Sequence, residues 1–438
     1  MENKLLIDGE VVLSKEVLSA MHVVDIAEQM EDLDEHDAIK VFRMLPKDTA
    51  AEVFAYLPHD VQQDIVGGIA DREIGGIIDE LFLDDAVDFI EEMPANVVRR
   101  ILAAVPKQKR DIINQFLKYP KDSAGSIMTI EYVALKKNIT VTMAFKEIRA
   151  KAIEKETIYT CYVIEPNRRL IGTVSVLTLL MADPDQRIGD IMDTNIISAQ
   201  TTEHKEDLVS DFGKYDLLAM PVVDSEDRLV GIVTVDDALD VQEEAATEDF
   251  ELMAAVTPSD DPYLKTGVFM LSKNRFPWLL ILMVTAMLTG GIISHYEETM
   301  PFALAVFIPL LMDTGGNAGS QSSTLIIRGM AVGEIALGDV LRVLWKEMRV
   351  ALLCGAALVA VNFVRMLLMG HDMLMMLTVS ITLYLTLILS KSIGCLLPMA
   401  AKKLRLDPAI MAAPVITSIV DASALLIYFT LAAAILSL

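Results

Sequence analysis

Asp407–Leu438 reads DPAIMAAPVITSIVDASALLIYFTLAAAILSL, nearly all apolar, with Asp421 near its middle. The stretch is long enough to cross a hydrocarbon layer ~30 Å thick as a helix. A carboxylate at the centre of such a helix costs about 2.5–3.5 kcal/mol on insertion-based scales. Residues kept at that cost usually face a bundle interior or a water-filled path. Asp421 is therefore the first candidate for an ion site. Helical spacing places Ala413, Thr417 and Asp421 on one face, at i, i+4 and i+8.

Working outward, Phe276–Ser294, Phe302–Ile327, Leu341–Leu368 and Leu374–Leu397 are also long apolar runs, and with Ala409–Leu436 they predict five spans within 265–438. The second span ends in Pro309–Ser323, PLLMDTGGNAGSQSS. A glycine packing seam would explain the glycines. It leaves Asp313, Asn317 and Gln321 unexplained, and these three are the pore-lining candidates. Lys391, in the fourth span, either snorkels to the interface or pairs with an acid inside the bundle.

Basic residues set the orientation. Lys265, Lys273 and Arg275 precede the first span, Arg328, Arg342, Lys346 and Arg349 flank the next loop on that side, and Lys402, Lys403 and Arg405 follow. The opposite loops, His295–Met300 and Gly370–Asp372, hold no Lys or Arg. The expectation is a multi-pass protein of the cytoplasmic membrane, N-terminus cytoplasmic and C-terminus extracytoplasmic. The N-terminal MENKLLIDGE has no basic segment followed by an apolar one, so no signal peptide is expected.

Charge divides the 438-residue chain sharply. Met1–Pro262 holds 53 Asp+Glu against 25 Lys+Arg, and Tyr263–Leu438 holds 9 against 12; the nets of −28 and +3 sum to the overall −25. So acidic a half repels phosphates, which argues against nucleic acid as a partner, and it attracts cations. Cys161, Cys354 and Cys395 lack CxxC spacing, and no catalytic triad spacing, HExxH or Walker loop occurs. No enzyme is expected.

Residues 1–120 show a period of twelve. Leu45-Pro46, Leu57-Pro58, Met93-Pro94 and Val105-Pro106 fall on it, and the skipped positions near Ala70 and Phe82 open similar segments. Pro in a first turn followed by helically spaced apolar residues predicts short stacked helices, an all-α superhelical domain. Asp84, Asp85, Asp88, Glu91 and Glu92 form either one helix's wet face or a cation site.

Residues 121–240 contain a duplication. Cys161–Leu180 aligns without gaps on Met220–Leu239 at an offset of 59, and Ser126–Thr129 echoes Asp190–Asp193. Each copy reads strand, polar turn, Gly-led strand, helix, with a further helix upstream. This resembles a tandem pair of CBS domains, α/β modules that often bind adenine nucleotides. The family's hydroxyl-and-carboxylate run occurs in the second copy, where Thr234 and Asp237 become nucleotide-binding candidates; the first copy has Ser175 and then Thr178. A purely structural pair stays the alternative to ATP binding.

A connecting helix, acidic on several faces, is expected over Asp240–Met253, leading from the end of the duplication through a 241–264 linker that also holds Asp260-Asp261-Pro262. Acidic surfaces on either side of it would repel unless cations lay between them.

Taken whole, the chain resembles the MgtE family of magnesium channels, most specifically through PLLMDTGGNAGSQS and DPAIMAAPVITSIVDASALLIY. The resemblance implies a homodimer in which Asp421 binds Mg2+ in a pore between subunits, with Thr417 and Ala413 on the same wall. It implies a connecting helix that acts as a plug, closed when intracellular Mg2+ bridges acidic groups. By position these sensor residues are Asp216, Asp237, Asp240, Glu248 and Asp249, with Asp85 and Asp88 added from the helical domain. His204 and Ala245 stand where carboxylates are expected, so fewer or weaker sensor ions are expected. The function expected is Mg2+-selective channel uptake. The alternative is an H+- or Na+-coupled divalent cation transporter, and a third reading is a receptor without transport.

Overall fold

The computed structural model describes residues 4–7, 10–152, 155–259, 263–264, 266–296 and 302–436. The sequence-level readings on Asp260–Pro262, Lys265 and 297–300 lie outside them. The chain divides into two compact units, Met1–Gln242 and Glu243–Leu438.

The first unit opens with an antiparallel pair, β1 (Lys4–Ile7) and β2 (Glu10–Ser14), an addition to the all-helical expectation. Asp-Gly between two apolar runs is the signal that would have found it. Then follow α1 (Lys15–Leu18), α2 (Val23–Glu31), α3 (Glu35–Phe42), α4 (Lys47–Ala55), α5 (His59–Gly68), α6 (Asp71–Glu80), α7 (Leu83–Glu92), α8 (Ala95–Ala104) and α9 (Lys107–Phe116). From α2 onward the N-cap residues are His22, Asp34, Pro46, Pro58, Ala70, Phe82, Pro94 and Pro106. Each is twelve residues after the last.

The prolines sit one position earlier than the first turn expected for them. At the N-cap the backbone is extended (Pro46 φ −59°, ψ 154°), which suits the fixed φ of the ring and needs no donated N–H. At two of the four caps without Pro the side chain caps instead: Asp34 accepts from the Asp37 N–H at 2.9 Å and His22 from the Val24 N–H at 3.4 Å, and at Ala70 the Glu73 carboxylate accepts from the cap N–H at 2.9 Å. A ten-residue helix cannot bury its apolar face alone, so these helices stack on their next-but-one neighbours. α2 packs on α4, α4 on α6 and α6 on α8, while α3 packs on α5 and α7 on α9. Phe54, between Phe42 and Phe89, ties part of this core together.

The duplicated segment forms two three-stranded sheets. β3 (Ala134–Lys136), β4 (Thr160–Ile164) and β5 (Leu170–Ser175) make one, with α10 (Val141–Lys151), α11 (Val176–Met181) and α12 (Ile188–Ile191). β6 (Ala199–Gln200), β7 (Ala219–Val223) and β8 (Leu229–Thr234) make the other, with α13 (Lys205–Tyr215) and α14 (Val235–Met253). In each, the first pair is parallel and the second antiparallel. The 59-residue offset holds to single residues: the turn residues Arg168 and Asp227 both have positive φ, and the Leu170 and Leu229 N–H groups donate reciprocally to the Asp227 and Arg168 carbonyls.

The sequence echo also has a structural cause. Thr129 bridges to Ile232 of the second copy and Asp193 to Thr173 of the first, so each echo segment closes the other copy's sheet. Met128 and Met192 lie over the strand glycines. A Cβ on Gly231 would meet Met128 Sδ at 2.6 Å and the Thr129 carbonyl at 2.8 Å; one on Gly172 would meet Met192 Sδ at 2.7 Å. Gly231→Ala is therefore expected to destabilise the first unit by about 1–3 kcal/mol. The check is a melting curve of the full-length protein, and an unchanged midpoint would contradict this packing.

No break separates the second copy from the acidic connecting helix expected after it. α14 runs unbroken from Val235 to Met253.

The second unit contains α15 (Val268–Tyr296), α16 (Phe302–Ala305), α17 (Ile308–Ala331), α18 (Val340–Leu368), α19 (Met373–Lys403) and α20 (Ala413–Leu436). Among the described residues four helical segments are long and apolar enough to cross a membrane: Val268–Tyr296, Leu337–Leu368, Met373–Lys403 and Pro408–Leu436. The second span expected from sequence becomes α16 and α17, with Pro309 in the first turn of α17. α17 is long enough at 24 residues, but its Asp, Asn, Gln, Ser and Gly dilute its apolar character. It packs most closely on α19 and α20. Gly370, at φ +75°, ends α18, and the Asp372 carboxylate caps α19 by accepting from the Leu374 N–H.

Candidate ion sites

In the second unit, α17 presents two unlike faces. Leu311, Gly315, Ala318, Gly319, Ser322 and Ile326 are buried, whereas Asp313, Asn317 and Gln321 are exposed in the single chain at i, i+4 and i+8. The glycines let neighbouring helices close in. A Cβ on Gly315 would lie 2.7 Å from Thr386 Cγ2 and 2.9 Å from Val420 Cγ1, and one on Gly316 would lie 2.8 Å from Thr417 Cγ2. The Ser390 hydroxyl donates to the Gly315 carbonyl.

On α20, Ala413, Thr417 and Asp421 share one half-buried face, with Ile416, Val420 and Ala424 buried beside it. Thr417 turns its hydroxyl back to the Ala413 carbonyl at 2.6 Å. Asp421 Oδ1 is enclosed and has no hydrogen-bond partner among the described residues. Asp313 is near enough to interact with Asp421 electrostatically. An enclosed carboxylate oxygen without a donor is suited to a cation or its water shell. Lys391 does not snorkel: it pairs with Glu347, at 3.7 Å, inside the bundle.

In the first unit, carboxylates converge from segments distant in sequence. Asp84 and Asp85 occupy the first turn of α7, and Asp236 and Asp237 the first turn of α14. Helix N-termini favour such negative charge. Glu156, whose N–H donates to the Glu131 carbonyl, comes from between α10 and β4. Burial, then the charges of Asp237, Asp88, Asp236 and Glu131, push Asp85 up to about 7. Burial, then Asp85, Asp237, Asp236 and Glu131, push Glu156 up to about 8. Burial raises Asp237 to about 6, although its Oδ2 accepts from the Thr234 hydroxyl at 2.5 Å and from the Thr234 N–H. Asp84 is raised well above the carboxylate range, by burial first and then by Asp237, Asp85 and Glu156. Lys109 lies beside them, donating to the Leu81 and Asp79 carbonyls.

Of the sensor candidates, then, Asp85 interacts with Asp88 and Asp237, and Asp237 with Asp240. Asp216 is exposed and ends α13 in the left-handed region at φ 52°. Glu248 and Asp249 lie further along α14, in the second unit. The sequence reading missed Glu156, Asp236 and Glu131. Among the described residues no three His, Cys, Asp or Glu side chains stand in a ready-made metal-binding arrangement.

Residues 308–431 match the family model described as a divalent cation transporter, 21–122 the MgtE intracellular N domain and 188–244 a CBS domain. These matches, on a bundle with a carboxylate-bearing polar helix packed into it, define a divalent cation transporter of the membrane rather than an enzyme. The chain is 35% identical over 431 residues to the magnesium transporter MgtE of Thermus thermophilus, covering 97% of this chain and 95% of the relative. It is 31% identical over 426 residues to that of Bacillus subtilis, covering 94% of each. Among solved structures, the cytosolic domain of the Mg2+ channel MgtE in complex with ATP is similar at 35% identity and a TM-score of 0.50, over 52% of this chain and 93% of that one. The chain belongs to the MgtE family of magnesium transporters.

Proposed function

We propose that the chain is a Mg2+-selective channel, active as a homodimer, that admits Mg2+ across the cytoplasmic membrane and closes when intracellular Mg2+ bridges its acidic surfaces. The N-terminus is cytoplasmic, the C-terminus extracytoplasmic, and α17 is the fifth span. The observation that supports this most is the convergence of Asp84, Asp85, Glu156 and Asp237. Four half-buried carboxylates that repel one another destabilise the first unit, and a divalent cation between them removes that repulsion. Mg2+ keeps several of its waters and is bound by one or two carboxylates at a time. It therefore suits a seam that lacks a ready-made cage.

The pore face is Ala413, Thr417 and Asp421, with Asp313, Asn317 and Gln321 alongside. Two Asp421 side chains across a dimer axis would accept hydrogen bonds from hydrated Mg2+. Asp216, Asp240, Glu248 and Asp249 extend the sensor toward the linker. Thr234 and Asp237 give an adenine nucleotide a hydroxyl and a carboxylate, as the ATP-bound relative suggests, so one residue serves either ligand.

The test is current through the purified full-length protein in bilayers, with Mg2+ varied on each side. Current that follows membrane potential alone and shuts off with Mg2+ on the N-terminal side supports the reading. Flux that depends on a proton or sodium gradient selects the coupled transporter instead. Removing Met1–Tyr119 is expected to leave a channel that closes less completely at millimolar Mg2+; normal closure would separate this domain from sensing.

A further inference from the structure

Lys391 and Glu347 are about as buried as charged groups become, at 6% and 9% exposure. Ser322 of α17, fully buried, donates its hydroxyl to Glu347 Oε2 at 2.6 Å. The Lys391 ammonium of α19 donates to Ser322 Oγ at 3.1 Å. One small polar unit thus joins three helices, with Glu347 supplied by α18.

Stability does not call for such a unit. A well-packed apolar pair in place of a buried ion pair is often neutral or stabilising, whereas deleting one partner costs about 3–5 kcal/mol. Inside a membrane, ionisable residues facing a bundle interior mark functional elements. What the unit does hold is the back of α17. Over three successive turns α17 is tied to α19: Ser390 donates to the Gly315 carbonyl, Gly394 lies against Gly319, and Lys391 meets Ser322. A Cβ on Gly394 would collide with the Gly319 carbonyl, so the two backbones touch. Ser322 directly follows Gln321, the last residue of the exposed polar stripe.

We propose that Glu347, Lys391 and Ser322 form a positioning unit for ion passage. Together they fix the height and rotation of α17, and so place Asp313, Asn317 and Gln321 relative to Asp421. A Gly-Gly contact permits sliding; a directional hydrogen bond to a buried, paired carboxylate selects one register. This rests on the pore reading given above.

The experiment measures Mg2+ influx into proteoliposomes containing full-length Glu347→Met, Lys391→Met and the double variant, with thermal stability recorded in parallel. Each single variant is expected to lose stability and flux. The double variant removes both charges, so its stability is expected to return. Its half-saturating Mg2+ concentration is expected to rise by about 3- to 30-fold, the range for coupling through packed elements. A merely structural pair would reduce the number of working channels and leave half-saturation per channel unchanged. A stable double variant with wild-type half-saturation and flux overturns the proposal, as does a Lys391→Met single variant with both unchanged. Asn317→Ala, measured alongside, separates the two readings. If it too leaves half-saturation unchanged, the pore assignment of α17 fails; if it shifts while the double variant does not, only the positioning role fails.

Discussion

Asp421→Ala is expected to reduce Mg2+ flux through proteoliposomes by roughly 10²–10⁴-fold while the protein still assembles. A hydrogen bond to a charged group contributes about 1.5–3 kcal/mol, and a dimeric pore loses two such acceptors, which converts to that range. The carboxylate is half-buried, and its Oδ1 has no hydrogen-bond partner among the described residues, so its removal leaves no donor stranded by a broken bond. Asp421→Asn keeps the shape and removes the charge. It is expected to conduct weakly and to lose preference for Mg2+ over monovalent ions. Unchanged flux and selectivity in both variants would sink the assignment of the pore face.

Mg2+ is expected to stabilise the full-length protein strongly at pH 8 and little at pH 6. Asp85 at about 7, Glu156 at about 8 and Asp237 at about 6 stand above unfolded carboxylates, at roughly 4. Between about pH 4 and pH 8 the folded unit therefore keeps protons that the unfolded chain has released. Its ion-free stability is greatest on the acid side and falls as pH rises through that window. Mg2+ must displace those protons, so its effect grows in the same direction. At about a hundred times the dissociation constant, binding contributes about 2.7 kcal/mol, or about 5–10 °C for a unit of this size. Paired Asp85→Asn and Glu156→Gln substitutions are expected to raise the ion-free midpoint at pH 8 and to flatten the Mg2+ response. A Mg2+ shift equal at pH 6 and pH 8 would show that these groups do not face the ion.

The twelve-residue repeat is legible because proline marks half of its starts; His22 and Asp34 continue it with polar caps that have no such regularity. The duplication is legible through its strands, which are offset by 59 (Thr160 to Ala219), whereas the helices before them are offset by 64 (Val141 to Lys205). The five-residue difference is extra chain between α10 and β4, and it contains Glu156. That mismatch is the one sequence signal for the missing carboxylate. Phe302–Ile327 reads as an apolar run in the sequence, yet α17 is less apolar than the four other long helices, because the residues that suit it to an ion path dilute it. The partner of Lys391 lies 44 positions earlier, at Glu347, on another helix. Nothing local marks it, since tertiary packing alone brings the two together.

The N-terminal stack has a parity. Alternate helices lie in alternate rows, so residues 21–116 behave as a two-track ribbon with a repeat of 24 residues rather than twelve. Excising one twelve-residue unit would send every later helix to the opposite track, presenting to its new neighbours a face shaped for the other side. Excising two would shorten the ribbon and leave each remaining helix on its own track. Such a scaffold can change in length only by even steps, much as a strand keeps its inward face only when shifted by two residues.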